Sequence, residues 1–180
     1  MAIRTEVEDV LRSLRDVWDE DAVDELDHAL QAAARAVEDG ADDELVLASA
    51  LHDLGHSPLF GDDWKQHHDT MARTWLTPRF GERVGWLAGA HVAAKRYLVS
   101  TEPDYAATLS DVSVDSLHHQ GGAAVDQTYV DHPWWADALR LRRYDDAAKV
   151  PHAPALSIEA VLDVAERVLR SIDRAHDHSA

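Results

Sequence analysis

"LHDLGHSP", residues 51–58, closes an apolar helical run with a His–Asp pair, a glycine and a second histidine. Ahead of it, Val46, Leu47, Ala50 and Leu51 recur at helical spacing, so a helix over 43–54 is expected to be buried. Its last turn then delivers two metal-capable side chains into the interior. An isolated buried carboxylate is costly, so Asp53 must pair, bind metal or become neutral. The alternatives for His52 and Asp53 are an ion pair at a helix end and the centre of a metal site. The following "GHSPLFGDDWKQ", with a proline, two glycines and two aspartates, reads as a loop.

Outward from this stretch the chain reads as helix nearly throughout. Val7, Val10, Leu11 and Leu14 mark an amphipathic segment over 5–17. An Ala-rich helix spans 23–38 and ends before Gly40. Helices follow at about 67–77, stopping near Pro78, and at about 82–98. Ser110 caps a short helix through Leu117, Pro133 opens one that runs to about Lys149, and a last helix covers about 157–173. No strand alternation, repeat or linker interrupts this pattern. The expectation is one all-α domain, a helical bundle over residues 1–180.

Composition narrows the function. The 180 residues are 46% apolar, enough for one core. No apolar run reaches the roughly 18 residues of a membrane span, and the charged N-terminus lacks the apolar centre of a secretory signal. A cytoplasmic protein with no membrane partner is expected, as a monomer or small homo-oligomer. Without cysteine there is no disulfide, zinc-thiolate site or Cys nucleophile. The net charge of −17 disfavours nucleic acid but not a small anion held in a pocket with its own cations.

Further polar residues interrupt apolar helix faces. His28 shares its face with Ala32 and Ala36. His91 lies among Val84, Leu87, Ala88 and Leu98, with Lys95 one turn on. Asp145 continues the stripe of Trp134, Ala138, Leu141 and Ala148, whereas Asp146 follows the less apolar face of Trp135, Leu139 and Arg142. Singly, each reads best as a satisfied core polar group; together they read as a donor set of imidazoles and carboxylates without sulfur. That set suits Fe, Mn or Zn, and six ligands exceed one tetrahedral site. Two metals with Asp53 between them fit better.

A separate His, then His–Asp, then further His and a distant Asp resembles the HD-domain superfamily, of which "LHDLGH" is the namesake motif. "FGERVGWLAGAHVAAKRYLVS", "LSDVSVDSLHHQGG" and "LRRYDDAAK" resemble its oxygenase branch that cleaves organophosphonates, over about residues 18–149. Inositol oxygenases are more distant relatives. The resemblance implies a mixed-valent Fe(II)/Fe(III) pair that uses O2 to cleave the C–P bond of a small α-hydroxylated phosphonate, releasing phosphate. Within the superfamily the alternative is a metal-dependent phosphohydrolase acting on a nucleotide or phosphate ester.

Carried over by position, His28, His52, Asp53 and Asp145 would hold one iron, and Asp53 would bridge to a second held by His67 and His91. Periodicity does not separate His67, which groups with Met71 and Trp75, from His68, which groups with Ala72 and Trp75. Counting back from Ala72 and "FGERV" in the family pattern favours His67. Lys95 would meet the anion, with Ser113, Ser116 and Gln120 donating hydrogen bonds, and His56 would approach the substrate. Arg142 would serve the same anion or support Asp145. Trp18 and Asp21 occupy the positions of a Tyr and a Glu that cover the iron in such oxygenases. An indole cannot ligate as a phenolate does, so Trp18 is either a face for a cationic substrate group or a core anchor.

Overall fold

The computed structural model describes residues 2–19 and 22–177. These form α1 (Ala2–Ser13), α2 (Glu25–Glu38), α3 (Asp43–Leu51), α4 (His68–Thr101), α5 (Asp111–His119), α6 (Gln127–Val130), α7 (Trp135–Asp146) and α8 (Ile158–Asp177). No strand occurs among the described residues, so the all-α expectation holds. No helix is long and apolar enough to cross a membrane. The four-residue α6, between "QGG" and Pro133, is the one helix the sequence reading did not contain.

The apolar run ahead of "LHDLGH" becomes the middle of the bundle. Every residue from Leu45 to Leu51 is buried, and α3 packs against α2, α4, α7 and α8. A helix apolar on all sides belongs at the centre of a core. Asp42 caps its start by accepting the Leu45 N–H, and Asp24 does the same for α2 through the Asp27 N–H. One apolar cluster joins Leu11 of α1, Leu30 of α2, Leu47 of α3, Leu87 of α4, Leu141 of α7 and Leu162 of α8.

α3 stops earlier than the expected residue 54. Asp53 has φ −102° and ψ 18°, and the chain continues in three short 3-10 turns. On an uninterrupted helix, adjacent side chains diverge by roughly 100°. Leaving the helix at Asp53 lets its carboxylate meet the His52 ring instead. Gly55 follows because His68 packs directly on it: a Cβ at Gly55 would lie 2.5 Å from the His68 Cα.

The expected break at Pro78 falls three residues later. The helix runs through Pro78 to Phe80 and turns at Gly81, whose φ of 87° suits glycine. The two halves of α4 fold back as an antiparallel hairpin. Gly85 faces Thr77 and Gly89 faces Arg73 so closely that added Cβ atoms would come within 2.0 Å of Thr77 Oγ1 and 2.9 Å of Arg73 Cβ. This close approach brings His68, at the start of α4, against His91 on the returning half.

Replacing Gly85 by Ala is expected to destabilise the protein by about 1–3 kcal/mol, the usual cost of overpacking. Urea unfolding checks it; an unchanged midpoint would contradict the hairpin contact.

Candidate metal centre

Four histidines converge from four places in the bundle: His28 on α2, His52 at the end of α3, and His68 and His91 on the two halves of α4. All are buried. Each donates its Nδ1–H to a backbone carbonyl: His28 to Ala148 at 3.1 Å, His52 to Ser49 at 2.9 Å, His68 to Lys65 at 3.1 Å and His91 to Ala88 at 2.6 Å. A carbonyl only accepts, so each Nδ1 carries a proton, and in the neutral ring Nε2 is the nitrogen left to bind a metal.

The Nε2 atoms meet around Asp53. Its Oδ2 lies 3.4 Å from His28 Nε2 and 3.1 Å from His52 Nε2. Its Oδ1 lies 3.4 Å from His68 Nε2 and 3.3 Å from His91 Nε2. Within each pair the imidazole nitrogens are also close, at 3.4 Å for His28–His52 and 3.0 Å for His68–His91. Asp145 completes the first group, with Oδ1 3.5 Å from His28 Nε2 and Oδ2 3.5 Å from His52 Nε2. The donor atoms of His28, His52, Asp53 and Asp145 all lie within 4.8 Å of one another.

Without metal the arrangement relies on protons: despite its burial, the His52 imidazole is held well above its ordinary range by the Asp53 and Asp145 carboxylates. Asp53 Oδ1 is still buried without a hydrogen-bond partner. Unsatisfied buried acceptors are costly. A cation in each group would take the place of those protons and give Oδ1 a partner, so the residues fit a pair of metal ions bound through nitrogen and oxygen. Backbone carbonyls on the outer ring nitrogens are the usual support for such ligands. The charges agree. Burial alone would raise the Asp53 and Asp145 carboxyls, but their neighbours hold both well below the usual carboxylate range: His52 and the other imidazoles for Asp53, and Arg142, Lys149 and His52 for Asp145.

His67 is not in the cluster. It is exposed, whereas His68 is buried on one face with Ala72, Leu76 and Phe80. The second group is therefore Asp53, His68 and His91, a correction to the position-by-position assignment. The structure does bring His28, His52, His91 and Asp145 together around Asp53. Asp146 turns instead to the Tyr105 hydroxyl, which donates to it at 2.6 Å.

A narrow cleft opens beside the carboxylates, lined by Lys95, Ser113, Ser116, Arg142 and Lys149 among others. Lys95 is 4% exposed and donates to Ser116 Oγ at 2.7 Å. Burial, with Arg142 nearby, brings its ammonium down to about 8. Lys149 donates to Ser113 Oγ at 2.9 Å and sits 3.8 Å from Asp145. The sequence reading missed Lys149; its spacing of four from Asp145 was the available signal. Arg142 supports Asp145, donating to Oδ2 at 2.6 Å, and also donates to the Tyr105 hydroxyl at 2.9 Å.

An outer chamber adjoins the cleft, and Asp19, His56, His68 and Ser116 line both. Gln120 belongs to this chamber rather than to the cleft, its Oε1 buried and unpartnered. Trp18 is 62% exposed and lines neither space. It is neither core anchor nor site wall, because α1 ends at Ser13 and Trp18 lies beyond its buried face. Asp21 lies outside the described residues.

No protein-family profile matches the chain. Individual proteins do. It is 38% identical over 143 residues to the hydroxymethylphosphonate dioxygenase of Gimesia maris, covering 73% of this chain and 70% of that one. It is 33% identical over 132 residues to the 1-hydroxy-2-(trimethylamino)ethylphosphonate dioxygenase (glycine-betaine-forming) of Leisingera caerulea, covering 68% and 67%. An uncharacterized protein of Acanthamoeba polyphaga mimivirus is 32% identical over 137 residues, 70% of this chain and 63% of the viral one.

Because Asp53 Oδ1 is buried without a partner and the clustered nitrogens and oxygens fit a cation, adding Zn2+ to metal-stripped protein is expected to raise its unfolding temperature. Asp53→Asn is expected to remove most of that rise. A melting curve indifferent to metal in the unsubstituted protein would contradict the fit.

Proposed function

This chain belongs to the phosphonate dioxygenase family, and from that premise we propose that it uses O2 to cleave the C–P bond of a small α-hydroxylated phosphonate. The products are inorganic phosphate and a carboxylate carrying the substrate carbon, with O2 as the oxidant. The observation that supports this most directly is Asp53, which turns one oxygen to each pair of imidazoles.

His28, His52, Asp53 and Asp145 would hold one metal ion, and Asp53, His68 and His91 the other. We take both to be iron, an Fe(II)/Fe(III) pair. Bound there, the pair supplies the Lewis acidity and the electrons that O2 chemistry requires.

The rest falls to the chain. A phosphonate carries negative charge, and the cleft offers a buried lysine, Lys95, and a half-buried one, Lys149, each resting on a serine of α5. Lys95 and Lys149 are placed to take its oxygens, with Ser113 and Ser116 as further partners. Binding an anion also offsets the burial and the nearby Arg142 charge that bring the Lys95 ammonium down to about 8. Arg142 lines the cleft too, but its hydrogen bonds are already taken up by Asp145 and Tyr105, so it contributes charge. With the phosphonate on the lysines, the hydroxyl-bearing carbon faces Asp53. Burial pushes the His56 imidazole down to about 4, so it is neutral and can accept a hydrogen bond from the substrate hydroxyl. Gln120 and Asp19 stand farther out, where a substituent on that carbon would project.

Reduced, iron-loaded protein given hydroxymethylphosphonate in air is expected to consume O2 and release phosphate in step. Phosphate-ester hydrolysis without O2, and no phosphonate turnover, would contradict the reading. Lys149→Ala is expected to raise KM for the phosphonate about tenfold or more, consistent with a lost charged hydrogen bond, while metal content stays unchanged. Loss of metal with unaltered KM would place Lys149 elsewhere in the mechanism.

A further inference from the structure

One buried imidazole near the centre differs from the other four rings. His56 lies in the passage between the cleft and the outer chamber. Its ring packs against His68, with centroids 4.5 Å apart and planes inclined by 32°. His68 in turn packs against His91, at 5.1 Å, so it stands between the two. A donor nitrogen of His56 lies within 4.8 Å of donor atoms on both Asp53 and His68. That is the separation expected of groups sharing one ion, because nitrogen–metal bonds of about 2.1 Å put ligands on opposite sides roughly 4.2 Å apart.

The second position otherwise has a thin donor set. Asp53, His68 and His91 supply fewer protein donors than the four residues of the first position. The aromatic side chain preceding α2 does not make up the difference, since Trp18 is exposed and an indole offers no lone pair to a metal. His56 does offer one. The nearest carboxylate to its Nδ1 is Asp19, at 3.9 Å, longer than a hydrogen bond.

We propose that His56 is a ligand of the second metal in the substrate-free protein, and that a phosphonate bound on Lys95 and Lys149 takes its place. The proposal rests on the metal-pair reading above. His56 thus closes the passage while no substrate is present. On displacement its ring swings toward Asp19 and meets the substrate hydroxyl. Gly55 precedes it, so the side chain stands on a turn pinned by His68, and ring rotation rather than backbone movement makes the exchange.

Co2+ alone serves as the probe, since its visible absorption reports coordination number and ligand type. In metal-stripped protein loaded with Co2+, His56→Gly is expected to change the bands of one of the two bound ions and weaken its binding about tenfold or more. Free imidazole is expected to restore the spectrum, which a merely structural role for His56 would not allow. His56→Gln, closer in size, guards against misfolding and is expected to weaken the same ion. Adding hydroxymethylphosphonate is expected to make the unsubstituted and His56→Gln spectra converge. Two bound Co2+ ions with spectra and affinities identical in all three proteins would overturn the ligand assignment while leaving the metal pair intact. Failure of the unsubstituted protein to bind two ions would overturn the underlying reading, and this proposal with it.

Discussion

The structure depends on crowding. Asp53 lies within 3.4 Å of four imidazole nitrogens, which come in two close pairs, and Asp145 adds its oxygens at 3.5 Å to the first pair. Such crowding is unfavourable in a dry interior unless a proton or a cation lies between the atoms. The fold supports it from outside. Each ring is fixed by a carbonyl: those of Ser49 and Ala88 lie in buried stretches of α3 and α4, that of Ala148 just past α7, and that of Lys65 in the turn before α4. Asp145 is held by Arg142, itself 3% exposed, and breaking a buried pair of this kind costs about 3–5 kcal/mol. A bound metal would supply that cation, so the energetics of folding and the chemistry of the site would meet at the same atoms.

Two backbone events make the convergence possible. α3 ends at Leu51, so His52 and Asp53 leave a fully buried helix and face one another. α4 doubles back at Gly81, so His68 and His91, far apart in sequence, face each other across a seam kept narrow by Gly85 and Gly89. The turn at Gly55 joins the two, because the backbone of His68 rests on it. The motif "LHDLGH" thus both supplies His52 and Asp53 and forms the surface on which His68 is placed.

Much of this was legible in the sequence. Helix 43–54 announced its burial through Leu47 and Leu51, and polar residues on apolar faces marked His28, His91 and Asp145. The preference for Asp145 over Asp146 followed from the stripe of Ala138 and Leu141. His68 was within reach as well: extending its spacing to Leu76 and Phe80, both fully buried, separates it from His67, whose partners Met71 and Trp75 are half-buried. Periodicity carried only as far as Trp75 leaves the two equal, and the count back from Ala72 in the family pattern then points to His67. Lys149 and the fold-back of α4 were not legible in the same way. Lys149 acts from just beyond the helix end, where periodicity no longer predicts direction, and the hairpin depends on backbone contacts at glycines that carry no side chain to pattern. Trp18 misled for a related reason: its size suggested an anchor, but no helix carries it inward.

The central claim is that Asp53 stands between two metal ions. Anomalous diffraction at the iron edge, from crystals of iron-loaded protein, tests it without reference to turnover. The account predicts two peaks of comparable height, one between His28 and His52 and one between His68 and His91, with a carboxylate oxygen of Asp53 directed at each. A lone peak, or peaks remote from Asp53, would contradict it.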